Sequence, residues 1–79
     1  MEQEFLEFAA SVLDVDVKEL SMLTEYGSIP QWDSLMHLCL VDEIYEKYGI
    51  DIPVHVASNI RTLGEFYDYV KGGGWEERG

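Results

Sequence analysis

The stretch from Ser34 to Tyr48 constrains the fold more than any other, because it carries a full set of helix signals. Asp33 or Ser34 can cap its start, Lys47 lies in its last turn, and Gly49 supplies a left-handed stop. On its wheel Leu38, Leu40, Val41, Ile44, Tyr45 and Tyr48 form a broad apolar arc, opposed by Asp42, Glu43, Glu46 and Lys47. Leu35, Met36 and Cys39 fall on or beside the polar side, within two turns of Ser34. Apolar side chains left exposed there read as a contact surface.

Other segments supply partners for that arc. From Gln3 to Leu13, Phe5, Leu6, Phe8, Ala9, Val12 and Leu13 share one side of a wheel, with Glu4, Glu7 and Ser11 opposite, which predicts a first amphipathic helix. The long connection from Asp14 to Asp33 has no sustained period. It is punctuated by Val15, Val17, Leu20, Met22, Leu23, Tyr26 and Ile29, so it should pack on the core, with a short helical turn near Lys18 to Leu23. Gly27 and Pro30 discourage helix before Ser34. After Gly49, Ile50 and Ile52 anchor a short extended link, and Val54 to Ile60 has room for one or two helical turns. Thr62-Leu63-Gly64-Glu65 has capping-box spacing, which starts a last helix at Leu63 with Phe66, Tyr67 and Val70 on its apolar face. The expectation is a small all-α four-helix bundle, three longer helices and a short third one, over residues 1–71, with 72–79 as a Gly-rich mobile tail.

Composition limits what such a bundle does. Seventy-nine residues allow one small domain, and 47% hydrophobic content is enough to fold it. Sixteen acidic against five basic side chains give a net charge of −11, which repels nucleic-acid phosphates and anionic membranes and steers the chain towards basic protein surfaces. Solubility is the plainer reading of the same charge. Cys39 is the single cysteine, so no intrachain disulfide forms; one Cys and two His make a structural zinc site implausible, and no metal site is expected. The acidic Met1-Glu2-Gln3-Glu4 start is unlike a secretory signal, and no apolar run reaches membrane-spanning length. These features predict a monomer of the reducing cytoplasm, free-standing from Met1.

Trp32-Asp33-Ser34-Leu35 then becomes the candidate site, since it places a hydroxyl at a helix start directly after a Pro-containing loop. One reading makes Ser34 a nucleophile with His37, three residues on, as its base. An exposed helix start in so small a bundle has little room for an oriented base, an oxyanion hole and an enclosed substrate, and a packed, hydrogen-bonded His37 is the preferred reading. No catalytic residue is assigned. The other reading makes Ser34 a modification site, which needs only an accessible hydroxyl.

The residues that favour this second reading also carry a resemblance. Asp33-Ser34-Leu35, the helix Met36 to Tyr48 and Ile50-Asp51-Ile52-Pro53 resemble the acyl carrier proteins of the phosphopantetheine-binding family, with similarity from about Phe5 to Val70. The tripeptide alone is weak; its place in an acidic four-helix pattern is what makes the match specific. The resemblance implies that Ser34 carries 4′-phosphopantetheine, donated covalently from coenzyme A by a magnesium-dependent phosphopantetheinyl transferase, and that the arm's thiol holds an acyl or aminoacyl group as a thioester. It further implies a loading ligase or acyltransferase and a downstream synthase or transferase as partners. Asp33 matches the acidic residue used in transferase recognition, and it doubles as a helix cap. Leu35 matches the apolar residue that meets partner enzymes.

Departures from the fatty-acid carriers bear on the pathway. Gln31-Trp32 replaces Gly-Ala or Gly-X, Met36 and Cys39 stand at commonly acidic places, and Val54 to Asn59 has no carboxylate. Trp32, Met36 and Cys39 are therefore expected to mark partner choice, in a dedicated pathway such as specialised-metabolite or surface-polymer synthesis. For Trp32, packing the loop against the second helix is the preferred role over flanking the arm. A core filled by Phe5, Phe8, Phe66 and several tyrosines favours short cargo, although a long acyl chain would gain about 0.8 kcal/mol per buried methylene by entering it. An unmodified acidic adaptor that binds partners through Leu35, Met36 and Cys39 is the competing reading.

Overall fold

The computed structural model describes residues 1–72, and within them the chain is an all-helical bundle. The C-terminal tail expected from Gly72 onward lies, from position 73, outside the described residues. Helix α1 spans Glu2–Leu13, α2 Ser34–Tyr48, α3 Val54–Ala57 and α4 Leu63–Lys71, with a 3-10 turn at Val17–Glu19 in the long first loop.

Each boundary follows from local chemistry. Glu2 and Glu4 sit in the first turn of α1, where carboxylates complement the helix dipole. The helix stops at Asp14, whose φ of 61° is left-handed, and its N–H reaches the Ala10 carbonyl. That stop is imperfect in two ways: a side chain occupies a conformation suited to glycine, and a carboxylate lies at the negative end of the dipole. Asp14→Gly is therefore expected to stabilise the domain by about 1 kcal/mol, raising Tm by roughly 4–8 °C in a thermal melt; an unchanged or lower Tm would contradict this account. Helix α2 ends on Gly49 at φ 72°, as its sequence predicts. Helix α4 opens with a complete capping box, the Thr62 hydroxyl accepting from the Glu65 N–H while the Glu65 carboxylate accepts from the Thr62 N–H.

The long loop is stitched to the start of α4. Tyr26 N–H donates to the Arg61 carbonyl at 2.7 Å, and the Leu63 and Gly64 N–H groups donate to the Thr24 and Met22 carbonyls at 3.2 and 2.8 Å. The approach is close enough that a Cβ on Gly64 would stand 3.0 Å from the Met22 carbonyl oxygen. Loop residues Leu20 and Trp32 are buried, and Val15, Val17, Met22, Tyr26 and Ile29 pack on the core, as expected. Leu23 does not; it is exposed.

Two aromatic clusters hold the bundle. At one end Phe5, Phe8, Tyr48 and Tyr67 join α1, α2 and α4, with Phe5 5.4 Å from Tyr67 and Phe8 edge-on to Tyr48 at 5.5 Å between ring centroids. Burial pushes the Tyr48 phenol above its usual 10.0, helped by the charges of Glu4 and then Tyr67. With the folded value raised, this contribution to stability is intact below about pH 10 and is lost as pH climbs through the folded value. Tyr48→Phe is expected to flatten the alkaline fall of stability there, measured by denaturant unfolding between neutral and alkaline pH. The second cluster lies at the opposite end of α2, beneath Ser34.

Candidate functional site

Asp33 leaves the loop extended, at φ −103° and ψ −172°, and turns its carboxylate back onto α2. Its Oδ1 accepts from the Met36 N–H at 2.9 Å, and its carbonyl accepts from the His37 N–H at 2.8 Å. Capping thus falls to Asp33, and Ser34 becomes the first residue inside the helix. The Ser34 side chain is exposed and lines a recess of about 350 Å³, together with Leu38 of α2, Val54, Ala57 and Ser58 around α3, and Tyr26, His37 and Arg61.

Beneath this recess lies a buried polar relay. Trp32 is fully buried, and its Nε1–H donates to His37 Nδ1 at 3.0 Å. His37, 7% exposed, has its Nε2 2.9 Å from the Ala57 carbonyl oxygen. An indole nitrogen only donates and a carbonyl only accepts, so Nδ1 carries the lone pair and Nε2 the proton. The Trp32 and His37 rings stack at 5.8 Å, with Tyr26 and Phe66 against His37 at 4.8 and 5.2 Å. This relay ties the loop to α2 and α2 to α3. It also occupies both nitrogens of His37 with buried partners, which leaves no lone pair to activate Ser34; the packed histidine is the role the geometry supports.

The surroundings of Ser34 differ from the sequence wheel. Leu35 is 67% exposed, as expected. Leu38 and Tyr45, assigned to the core arc, are each 54% exposed; the buried stripe of α2 is His37, Leu40 and Ile44. Ser34 and Leu38 are four residues apart and so share a face, a relation that was available in the sequence. Met36 and Cys39 are half-buried, and with Ser11, Val12 and Glu43 they line a shallow recess on the α1 side, because α1 covers that flank. Trp32 has no exposed surface, so it is withdrawn from the partner contacts; the large area it buries puts it in the core instead. Val54, 72% exposed across the recess from α2, and Arg61 were not anticipated, since only the folded α3–α4 corner brings them to Ser34.

The charges are divided along α2. Asp42, Glu43 and Glu46 are exposed in its second half, whereas its first turn holds no acidic residue and α3 opens with Val54 and His55. Among the described residues no group of three or more His, Cys, Asp and Glu side chains is placed to hold a metal ion, and no helix is long and apolar enough to cross a membrane.

No family model matches the chain. Among curated proteins it is similar to an acyl carrier protein of Rubrobacter xylanophilus, with 34% identity over 68 residues, which cover 86% of this chain and 84% of that protein.

Proposed function

The chain belongs to the acyl carrier protein family and is a carrier, not an enzyme; from that premise we propose that Ser34 is the attachment point of a 4′-phosphopantetheine arm. The supporting observation is the exposed Ser34 hydroxyl at the start of α2, freed from capping by Asp33 and unable to be activated by His37. The residues present fit the group. An anionic phosphodiester is favoured where helix N–H groups and the positive end of the dipole meet solvent, and the adjoining recess gives the arm an apolar surface to lie against. When bound, the arm supplies a terminal thiol that carries an acyl or aminoacyl group as a thioester.

The remaining parts of the site act on partners. Asp33 fixes the start of α2 and presents a carboxylate to the phosphopantetheinyl transferase that loads the arm. Leu35, exposed beside Ser34, supplies apolar contact to the loading ligase or acyltransferase and to the downstream synthase or transferase, extended by Leu38 and Val54. Met36 and Cys39 contribute from the α1 flank. The acidic second half of α2 steers basic partner surfaces. An α3 that opens without carboxylates supports a dedicated pathway over housekeeping fatty-acid synthesis. Fully buried Phe5, Trp32 and Phe66 fill the core and support short cargo.

Intact-mass measurement after incubation with coenzyme A, magnesium and a permissive phosphopantetheinyl transferase tests the reading. The expected result is the gain of one phosphopantetheine, mapped to Ser34. A chain that gains no mass is instead an unmodified adaptor.

A further inference from the structure

Arg61 is the one cation among the described residues that lines the recess beside Ser34. It is held in place from several sides. Its carbonyl accepts from the Tyr26 N–H at 2.7 Å, its own N–H donates to the Glu65 carboxylate, and its Nη1 donates to the Ser58 carbonyl at 3.0 Å. Its Cζ stands 5.8 Å from the centre of the Tyr26 ring. Carbonyls and a ring orient the guanidinium without neutralising it, and a guanidinium has five N–H donors to share. The only salt bridge among the described residues is elsewhere, between Lys71 and Asp68.

Placing a positive charge here matters because, against the favourable start of α2, the charged side chains around it are predominantly acidic. The chain has a net charge of −11, and the Asp33 carboxylate caps the turn that begins with Ser34. An anion covalently fixed to Ser34 would face that carboxylate, and within the recess Arg61 is the side chain that can offset it. The lining is otherwise mostly uncharged, with exposed Leu38 of α2 and exposed Val54 of α3 as its apolar walls.

We propose that Arg61, Leu38 and Val54 form a cradle for the proximal half of the prosthetic arm. The guanidinium pairs with the phosphodiester, as planar Arg donors do with phosphate oxygens, and the apolar walls take the dimethyl-bearing segment that follows. This rests on the attachment at Ser34. The arm is favoured over its cargo as occupant because Ser34 itself lines the recess, so the atoms nearest the tether are those within reach, whereas cargo sits at the far end. The cradle would shorten the arm's search and hold it ready beside Leu35, so that a partner must lift it off to take the thioester.

The test uses the holo-protein, with complete modification first verified by intact mass, and compares wild type with Arg61→Gln and Arg61→Lys. Arg61→Gln keeps a donor for the Ser58 carbonyl, and the Tm of each unmodified variant checks the fold. In the wild type, nuclear Overhauser contacts are expected between the arm's geminal methyl groups and the Leu38 and Val54 methyls. Arg61→Gln is expected to shift the phosphorus-31 resonance and to weaken those contacts at least twofold, with Arg61→Lys intermediate. A phosphorus resonance identical in wild type and Arg61→Gln, with no contact from the arm to Leu38 or Val54, would overturn the cradle. Failure to gain mass at all would instead refute the attachment, and that is read before any spectrum is recorded.

Discussion

Ser34→Ala is expected to abolish phosphopantetheine transfer completely while leaving the domain as stable as the wild type. The two halves of that result have separate causes. Transfer needs the hydroxyl itself, and His37, with both nitrogens committed to Trp32 and Ala57, provides no alternative nucleophile at the site. Stability does not need it, because the cap of α2 is the Asp33 carboxylate and Ser34 is an exposed first-turn residue where alanine is a good helix former. The change in unfolding free energy should stay within about 0.5 kcal/mol. Asp33 separates in the opposite way. Asp33→Ala removes the cap and should cost about 1 kcal/mol as well as slowing the transferase, whereas Asp33→Asn keeps a capping oxygen and loses only the charge. If recognition reads the carboxylate, Asp33→Asn slows transfer at nearly unchanged Tm. Transfer at the wild-type rate in Asp33→Asn would reduce Asp33 to a cap, and mass gain in Ser34→Ala would move the attachment elsewhere.

Much of this site was legible before folding because its signals are local. Asp33 and Gly49 bound α2 through capping chemistry that operates within one turn, and the Thr62–Glu65 capping box marked α4 in the same way. Helix α2 exposed the limit of such reasoning. Its apolar residues run around more than half of the wheel, so periodicity alone could not say which part faces inward, and Leu38 and Tyr45 were placed in the core while Met36 and Cys39 were placed outside. What decided the matter was tertiary: α1 lies against the Met36 and Cys39 flank, and Trp32 folds under the first turn to meet His37. Arg61 was out of reach for a related reason. Its position beside Ser34 depends on the Tyr26–Arg61 backbone bond that pins the long loop to the α3–α4 corner, and nothing in the spacing of either segment announces that bond.

Trp32→Ala should remove most of the domain's folding stability. A domain of this size is stable by only about 4–12 kcal/mol. Truncating a fully buried tryptophan costs about 3–5 kcal/mol in lost burial and cavity, and leaving His37 Nδ1 without a donor in an apolar site adds about 1–3 kcal/mol. The second contribution can be isolated. Trp32→Phe keeps most of the aromatic area and removes the donor; His37→Leu removes the acceptor, orphans the indole N–H and leaves the Ala57 carbonyl with the Ile60 N–H as its donor. If the relay is a unit, the double variant should be less destabilised than the sum of the two singles by about 1 kcal/mol or more, measured by urea unfolding followed by circular dichroism. Additive losses would mean that Trp32 acts by volume alone. The functional consequence follows from where the relay ends. Its last bond holds the Ala57 carbonyl and with it the α3 wall of the recess beside Ser34, so a broken relay should loosen α3 before it melts α2. Amide hydrogen exchange in Trp32→Phe is therefore expected to rise first at Ala57, Ser58 and Asn59, whose N–H groups close the short helix, with the Leu40 to Ile44 segment still protected.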